Sequence, residues 1–227
     1  MIRRLSLDWP GIGPLRLLAV SDEPDRALEF EHNRTALGRL DGVLGAGDLE
    51  PDYLAFLADA FHVPLLYVRG NHDRSANWQA SAALLPRPLG TRVERLADIT
   101  LAGLSWPGER RGRAVRDEAA AWRQALDVWL HTRRRKPLIV ISHVPPRGLG
   151  DTLADDYHRG FAAYYWLCHA LGPRLWLHGH TAPASTADWR VDWGPTTLVN
   201  ATGAVLIEVG GAPNGAANIE PTRTEES

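Results

Sequence analysis

The stretch Val63-Pro64-Leu65-Leu66-Tyr67-Val68-Arg69-Gly70-Asn71-His72-Asp73 joins a short apolar run to an amide, an imidazole and a carboxylate. A run of this length predicts a buried strand from Leu65 to Val68. The binding sites of α/β folds lie beyond the carboxyl ends of such strands. The stretch therefore predicts an α/β fold with a functional site that begins at Asn71.

Three further apolar runs end in a side chain that can bind a metal ion. They are Leu44-Gly45-Ala46-Gly47-Asp48, Ile139-Val140-Ile141-Ser142-His143 and Leu175-Trp176-Leu177-His178-Gly179-His180. Together with Asn71, these strand ends offer carboxylate, amide and imidazole ligands, a mixed set that suits Mn²⁺, Fe or Zn²⁺. The set contains no thiolate, so the pattern does not favour a structural zinc site.

The other predicted elements alternate early in the chain and crowd together later. Strands are predicted over 15–21, 43–46, 65–68, 91–96, 99–104, 138–142 and 174–178, with two or three more in 190–209. Helices are predicted over 33–40, 117–131 and 160–171, and another begins at Pro51. This order favours a sandwich of mixed sheets covered by helices over a purely parallel sheet. One domain is expected over 1–210, and residues 211–227, rich in Gly, Pro, Ala and charge, predict a disordered tail.

Composition narrows the classes of function. The 227 residues carry 27 acidic and 25 basic side chains, and the formal net charge of −2 provides no general surface for nucleic acid. The single cysteine, Cys168, excludes an intramolecular disulfide framework. The chain shows neither a signal segment nor an apolar stretch long enough to span a membrane. We therefore expect a cytoplasmic protein that does not bind a membrane.

Five motifs stand in order along the chain: Asp22, Gly47-Asp48, Gly70-Asn71-His72-Asp73, His143 and Gly179-His180. In order and content they resemble the calcineurin-like metallophosphoesterase superfamily over nearly the whole chain. Residues 143–151 and 158–161 resemble a prokaryotic branch of that superfamily. The resemblance implies a four-layer αββα sandwich with mixed sheets. It also implies a metal-dependent hydrolase of phosphomonoesters or phosphodiesters, acting on a small phosphoester or a nucleotide.

The resemblance also assigns metal ligands. Asp48 matches the carboxylate that bridges two metal ions, and Asp22 matches a ligand of the first ion. Asn71, His143 and His180 match the remaining protein ligands of the second ion. Manganese is the expected metal, with iron and zinc as alternatives. In the reaction that the family implies, a metal-bound hydroxide attacks phosphorus in line and the ions stabilise the developing charge.

Further residues match positions around the metals. His72 matches the imidazole that contacts the phosphate or protonates the leaving oxygen, and Asp73 would orient His72. Arg159, with His158 beside it near a helix start, would bind a phosphate oxygen. His178 is a candidate for supporting a ligand, although strand alternation also allows it to point to the opposite side.

The chain departs from the family pattern at two places. The family's first motif is Asp-x-His, but proline occupies the histidine position in Asp22-Glu23-Pro24. The last motif is usually Gly-His-x-His, and here Ala182 stands where the second histidine belongs. Both missing imidazoles belong to the first metal. The pattern thus predicts one complete metal site that binds its ion tightly and one depleted site, with Glu23 or His32 as substitute ligands.

Two other classes of function remain open at this point. The retromer complex contains a subunit with this fold and a degraded site, so the chain could be a non-catalytic scaffold. It could also be a sensor that holds a nucleotide or phosphate on one metal without turnover. Asn71, His72 and His143 favour an enzyme, whereas Pro24 and Ala182 favour the scaffold.

Overall fold

In the computed structural model of the chain, residues 2–152, 156–181 and 188–210 are described. The strands are β1 (Arg3–Leu7), β2 (Leu15–Ser21), β3 (Gly42–Gly45), β4 (Leu65–Tyr67), β5 (Val93–Leu96), β6 (Ile99–Leu104), β7 (Glu109–Arg110), β8 (Arg113–Ala114), β9 (Leu138–Ser142), β10 (Leu175–His178), β11 (Arg190–Trp193), β12 (Thr196–Asn200) and β13 (Gly203–Val209). The α-helices are α1 (Glu31–Leu37), α2 (Pro51–Phe61), α3 (Ala76–Ser81), α4 (Glu118–Thr132) and α5 (Ala162–Leu171).

Two mixed sheets form the centre of the molecule. The first has the strand order β1-β13-β2-β3-β4, in which β2, β3 and β4 run parallel and β13 runs antiparallel to β2. The second has the order β11-β12-β10-β9-β6-β5, with β12, β10, β9 and β6 parallel and β11 and β5 antiparallel at the edges. Each sheet therefore presents the carboxyl ends of at least three parallel strands at one edge.

Strand alternation separates the core into three layers of side chains. On β3, Leu44 packs between the sheets, whereas Val43 faces α1 and α2 on the outside of the first sheet. On β9, Ile139 faces the other sheet, whereas Val140 packs beneath α4 and α5. Successive strand residues point to opposite faces, so nearly continuous apolar strands bury both surfaces. The result is the four-layer αββα sandwich that the resemblance implies.

Local signals explain where the helices begin and end. Pro51 occupies the first turn of α2, where its missing N–H costs nothing. The Asp117 carboxylate caps α4 by accepting from the N–H of Ala120 at 2.9 Å. Gly172 ends α5 in the left-handed conformation. These signals place the start of α2 and both ends of α4 and α5 within two residues of their predicted positions.

Most predicted elements are confirmed. Strands β2, β6 and β9 have the predicted bounds, and β5 pairs antiparallel with β6. Three elements were not predicted: β1, the short helix α3 and the β7–β8 hairpin. Strand β1 was missed because its alternating Arg3-Arg4-Leu5-Ser6-Leu7 sequence is short and its partner, β13, lies almost the whole chain away.

Within the described ranges, no helix combines the length and apolar character that crossing a membrane requires. The predicted tail over 211–227 lies outside the described residues, and the single-domain assignment over 1–210 stays a prediction.

Candidate metal centre

Five strand ends bring the candidate ligands to one edge of the sandwich. In the first sheet, β2 ends directly before Asp22, and β3 and β4 lead into the loops that carry Asp48 and Asn71. In the second sheet, β9 ends directly before His143, and β10 ends two residues before His180. All five strands point the same way within their sheets. The sequence-predicted site is therefore assembled at the carboxyl edge, as expected for this class of fold.

Hydrogen bonds between the two sheets fix this edge. Nδ1 of His143, after β9, lies 2.9 Å from the carbonyl oxygen of Ala46, after β3. The backbone N–H of His180, after β10, donates to both carboxylate oxygens of Asp22, after β2, at 3.1 Å. The two sheets are thus joined through residues of the site itself.

Close approach of the metal-binding side chains explains two of the motif glycines, and the backbone of three candidate ligands is itself unusual. A Cβ atom at Gly70 would lie 2.0 Å from Oδ1 of Asp48, and one at Gly179 would lie 2.1 Å from Oδ2 of Asp22. Three candidate ligands also have left-handed backbones, with φ of 59° at Asp22, 55° at Asp48 and 66° at His180. Such conformations are costly for residues with a side chain and concentrate at functional sites.

His143 is the most buried member of the site, and its two ring nitrogens have different partners. Because Nδ1 faces the Ala46 carbonyl, it carries a proton and donates. Nε2 lies 3.1 Å from Oδ2 of Asp48 and 2.9 Å from Oδ1 of Asn71. Two oxygen acceptors therefore converge on Nε2, an arrangement that requires a positive charge between them.

The pKa values of Asp48 and His143 reflect that requirement. Burial alone would lower the pKa of His143, but its hydrogen bond and charge interaction with Asp48 raise it to about 9. Burial alone would raise the pKa of Asp48, but the hydrogen bond and charge of His143 hold it below its ordinary value. Both shifts indicate that the pair is ionised at neutral pH when a proton, and no metal ion, lies on Nε2.

The residues present fit a divalent cation. Ligand atoms of Asp22, Asp48 and His143 lie within 4.8 Å of one another. Within the described residues, they form the one group of side chains that could hold a metal ion. The Asn71 amide oxygen adjoins them through Nε2 of His143. A cation would take the place of the Nε2 proton, and carboxylate, amide and imidazole ligands suit a transition metal.

His180 lies beside this cluster, but its ring has a different partner. The ring centroids of His143 and His180 are 5.0 Å apart. Nε2 of His180 lies 3.0 Å from the carbonyl oxygen of Tyr157. Burial and the positive charge of His143 lower the pKa of His180 to about 4, so the ring is neutral and donates from Nε2. The Tyr157 hydroxyl accepts from Nδ2 of Asn71 at 2.6 Å, so Tyr157 contacts two predicted ligands.

The side of the site predicted to be depleted contains Asp22, which is held by the backbone and one hydroxyl. Its carboxylate accepts from the His180 N–H and, at 3.2 Å, from the Thr202 hydroxyl. Glu23 is exposed, and neither Glu23 nor His32 belongs to the metal-binding cluster. The substitute ligands suggested by the sequence are therefore not found there. Ala182 lies outside the described residues.

The side chains of His72 and Asp73 differ in their exposure to solvent. The His72 side chain is 79% exposed, and its Nε2 lies 3.9 Å from Oδ2 of Asp48, so the ring stands at the mouth of the site. Asp73 is buried, and its Oδ2 accepts from the N–H of Gly70 at 2.7 Å and of Asp48 at 2.8 Å. Burial raises the pKa of Asp73 to about 6.

The hydrogen bonds of the Asp73 carboxylate are to the backbone N–H groups of Gly70 and Asp48. These contacts join the loop after β4 to the loop after β3, and so they position Asp48. The expectation that Asp73 orients the His72 ring stays a prediction.

The remaining predicted residues lie around the centre. The Arg159 guanidinium contacts Asp156 at 2.9 Å, and the His158 ring lies 5.2 Å from that of His180. His178 is buried, with Nδ1 3.2 Å from the Gly179 carbonyl oxygen. Burial lowers the pKa of His178 to about 4, so it is a neutral core histidine outside the metal-binding cluster.

Two aromatic residues, Trp106 and Tyr157, complete the wall of the site. Trp106 is buried, and its ring centroid lies 5.3 Å from that of His180 and 6.3 Å from that of His143. Trp78 packs in the outer core and donates to the Leu49 carbonyl. Tyr157 was missed by sequence reasoning. The available signal was its position directly before His158 and Arg159, in the loop that follows His143.

The comparisons with known proteins agree with this architecture. Residues 36–184 match the family model described as calcineurin-like phosphoesterase. No curated protein matches the chain in sequence.

Solved structures with the same fold share little sequence with the chain. One is TT1561 of Thermus thermophilus, with 17% identity and a TM-score of 0.60 over 84% of this chain and 90% of that one. Another is GAP50, the anchor in the inner membrane complex of Plasmodium, with 13% identity and a TM-score of 0.51 over 83% and 71%. A third is a dimetal phosphatase from Danio rerio, with 12% identity and a TM-score of 0.50 over 83% and 87%. These likenesses show the fold, and the family match covers well over half of the chain. The chain belongs to the calcineurin-like phosphoesterase family.

Proposed function

We propose that the chain is a metal-dependent hydrolase of small phosphomonoesters or phosphodiesters, nucleotides included. The observation that carries the proposal is the convergence of Asp22, Asp48 and His143 at the carboxyl edge of the sandwich, with ligand atoms within 4.8 Å of one another. Membership of the family supports metal-dependent phosphoester hydrolysis in general. A cytoplasmic location is part of the proposal.

One ion is held tightly in this proposal and a second weakly or not at all. Asp48, Asn71, His143 and His180 bind the tight ion, and His180 must first exchange its contact with the Tyr157 carbonyl for the ion. Asp22 is left to bind the weaker ion, because proline occupies position 24. Manganese suits this mixture of oxygen and nitrogen ligands, and iron or zinc would also fit.

The chain's own residues supply binding and proton transfer. A bound divalent ion would supply Lewis acidity and lower the pKa of a water molecule. His72, exposed at the mouth of the site, protonates the leaving oxygen or contacts the phosphate. Asp73 holds the backbone of Asp48 in place, and Arg159 binds a phosphate oxygen of the substrate.

The test combines metal content with turnover. Protein loaded with Mn²⁺ and freed of excess ion is analysed for metal, and hydrolysis of p-nitrophenyl phosphate and bis(p-nitrophenyl) phosphate is measured. We expect one ion per chain and activity that EDTA removes. His143→Ala should lose the ion and lower kcat/KM by at least about 100-fold. His131→Ala, a change in an exposed histidine of α4, is the matched control and should change neither.

The scaffold and the sensor are the competing outcomes. GAP50 shares the fold and is described as an anchor, so the fold by itself does not require turnover. A wild-type chain that binds no Mn²⁺ would favour the scaffold. A chain that binds Mn²⁺ and inorganic phosphate but hydrolyses neither ester would favour the sensor and overturn the hydrolase.

A further inference from the structure

Two arginines from different parts of the chain converge beside the metal centre. Arg116, between β8 and α4, donates from Nη2 to the carbonyl oxygen of Gly160 at 2.8 Å. Arg147, after β9, donates from Nε to the same oxygen at 3.3 Å. Both also approach Oε1 of Glu118, Arg147 at 2.5 Å and Arg116 at 3.7 Å. One carbonyl and one carboxylate thus hold two guanidinium groups together.

A third arginine adjoins this pair. Arg159 precedes Gly160 in the chain, and its guanidinium contacts Asp156 at 2.9 Å. Arg159 is close enough to influence Arg116: burial lowers the pKa of Arg116, the Glu118 charge raises it, the charges of Arg147 and Arg159 lower it, and the Asp156 charge raises it. Among the described residues, the three arginines pair with Glu118 and Asp156, and a third carboxylate, Asp151, accepts from the N–H of Gly160 at 2.8 Å. We name Arg116, Arg147 and Arg159 the arginine cluster.

The arginine cluster contains donors that no described residue satisfies. Nη1 of Arg116 and Nε of Arg159 are buried without a hydrogen-bond partner among the described residues. Buried donors are rarely left in that state, because an unmade hydrogen bond costs free energy. Oε2 of Glu118 is also unpartnered, so it accepts from neither of these open donors. The open donors indicate a ligand that carries anionic oxygens.

Aromatic contacts connect the arginine cluster to the metal ligands. Cζ of Arg116 lies 4.2 Å from the ring centroid of Phe161. That ring lies 6.1 Å from Trp106, and Trp106 lies 5.3 Å from His180. Arg159 is also only two residues from Tyr157, whose carbonyl accepts from His180. Two buried rings, Phe161 and Trp106, therefore lie between Arg116 and His180, whereas Arg159 is joined to the metal side through the loop that carries Tyr157.

We propose that Arg116, Arg147 and Arg159 bind a second anionic group, a phosphate or a carboxylate, at the far end of the phosphoester whose near end reacts at the metal centre. This inference rests on the proposed hydrolase function and narrows its substrate class to phosphoesters with two anionic ends. The oxygen that Arg159 binds then belongs to the second anionic group and not to the phosphate that reacts at the metal centre. Guanidinium groups suit this task because they form paired hydrogen bonds to phosphate and carboxylate oxygens.

The existing ion pairs do not prevent such binding. The Asp156 side chain is 87% exposed, so its pair with Arg159 is weak and opens easily. The Gly160 carbonyl holds Arg116 and Arg147 independently of any carboxylate. An incoming anion can therefore displace Asp156 while the arginines keep their backbone contact.

Two substrates that differ only in the second anion test the inference. Hexane-1,6-diol monophosphate and hexane-1,6-diol bisphosphate are hydrolysed by the Mn²⁺-loaded chain, and phosphate release gives kcat and KM. We expect a KM about tenfold lower for the bisphosphate, beyond the statistical advantage of its two reactive ends. In Arg116→Gln the ratio of the two KM values should fall towards the statistical advantage alone. Arg113→Gln, in the exposed β8 strand, is the matched control and should keep the wild-type ratio.

A binding measurement separates this inference from the proposed function. The Nε–H resonances of the arginines are followed by NMR as inorganic sulfate is added at constant ionic strength. We expect the Arg159 resonance to shift in the wild type and to stay unchanged in Arg116→Gln, whose fold is checked by its thermal midpoint. Hydrolysis of both substrates with equal KM and no sulfate-dependent shift would overturn the arginine site and leave the hydrolase intact. A sulfate shift without any hydrolysis would overturn the hydrolase, and with it the assignment of the bound anion to a substrate.

Discussion

The two sides of the metal centre differ in how their residues are held. Around His143, a fully buried imidazole meets the Asp48 carboxylate at 3.1 Å and the Asn71 amide at 2.9 Å, so side chains hold one another. Around Asp22, the carboxylate is held by a backbone N–H and one hydroxyl, and Pro24 stands where an imidazole belongs. The first arrangement needs a positive charge, either a proton or a metal ion at Nε2 of His143, whereas the Asp22 carboxylate already accepts from two hydrogen-bond donors.

Under the proposal of one tight ion and one weak ion, this difference explains how half of a metal centre can be lost without loss of the fold. Asp22 joins the two sheets through the His180 backbone, and that contact serves the structure whether or not a metal is bound. Pro24 follows the strand in an exposed position, where it disturbs no packing. The buried pair of Asp48 and His143 has no such neutral replacement, because removal of one partner leaves a buried charge.

Asp48→Asn tests that contrast with the largest expected effect. It should abolish tight Mn²⁺ binding, because it removes a carboxylate of the metal-binding cluster. Without metal it should also destabilise the fold at pH 6 by about 3 kcal/mol, because it removes the interaction that raises the pKa of His143. Elemental analysis and urea unfolding in EDTA measure the two effects.

The pH dependence of unfolding sharpens this prediction. The folded pKa of His143 is about 9, above the ordinary value of 6.5. Its contribution to stability is therefore full below about pH 6.5 and lost as the pH rises through about 9. The metal-free wild type should lose stability over that window, and Asp48→Asn should not. Asp52→Asn, an exposed carboxylate in the first turn of α2, is the matched control. If the free energy of unfolding changed equally with pH in all three proteins, the charged pair of Asp48 and His143 would be refuted.

Rebuilding the depleted side tests the comparison from the opposite direction. The double variant Pro24→His, Ala182→His restores both histidines of the family pattern. We expect tight Mn²⁺ to rise from one ion per chain to two, with kcat at least about tenfold higher, because a second ion adds charge stabilisation. Each single variant serves as a control. Two tight ions already present in the wild type would contradict the view that this side is depleted.

Asp73→Asn should have a smaller effect on the complete side. Two backbone N–H groups donate to Oδ2 of Asp73, and an amide oxygen accepts from them more weakly than a carboxylate does. We expect Mn²⁺ affinity to fall about tenfold, because Asp48 is less firmly positioned. Calorimetric titration measures the affinity. If the His72 ring were the true partner, the variant would instead change the pH profile of turnover with unchanged affinity.

The sequence predicted an element correctly where a run of neighbouring apolar residues is enough to form that element. Strands β2 and β9 are almost wholly apolar segments, and their predicted bounds match those of the fold. The predicted ligands Asp22, Asp48 and His143 meet because each follows a strand end, and topology brings those ends to one edge. Order along the chain and strand polarity were enough for that prediction.

The sequence was uninformative where loop geometry decides the contacts. Asp73 follows His72 directly, yet its carboxylate reaches back to the Asp48 backbone, a contact that no spacing rule indicates. Tyr157 reaches Asn71 from a loop 86 positions further along the chain. Such pairings depend on the path of irregular backbone, which has no periodic signal in the sequence.

Tyr157→Phe should give the smallest effect and separates the two roles of that residue. The variant removes the hydroxyl that accepts from Asn71 at 2.6 Å but keeps the carbonyl that accepts from His180. We expect the free energy of unfolding of the metal-free chain to fall by about 1 kcal/mol, since one partly buried hydrogen bond is lost. Mn²⁺ affinity should be unchanged or slightly higher, because Asn71 is released to the ion. Urea unfolding and calorimetric titration measure both, with Tyr165→Phe, an exposed tyrosine of α5, as the control. A marked fall in Mn²⁺ affinity would instead make the Tyr157 hydroxyl a support of the complete side, because the ion would then depend on a group outside the strand ends.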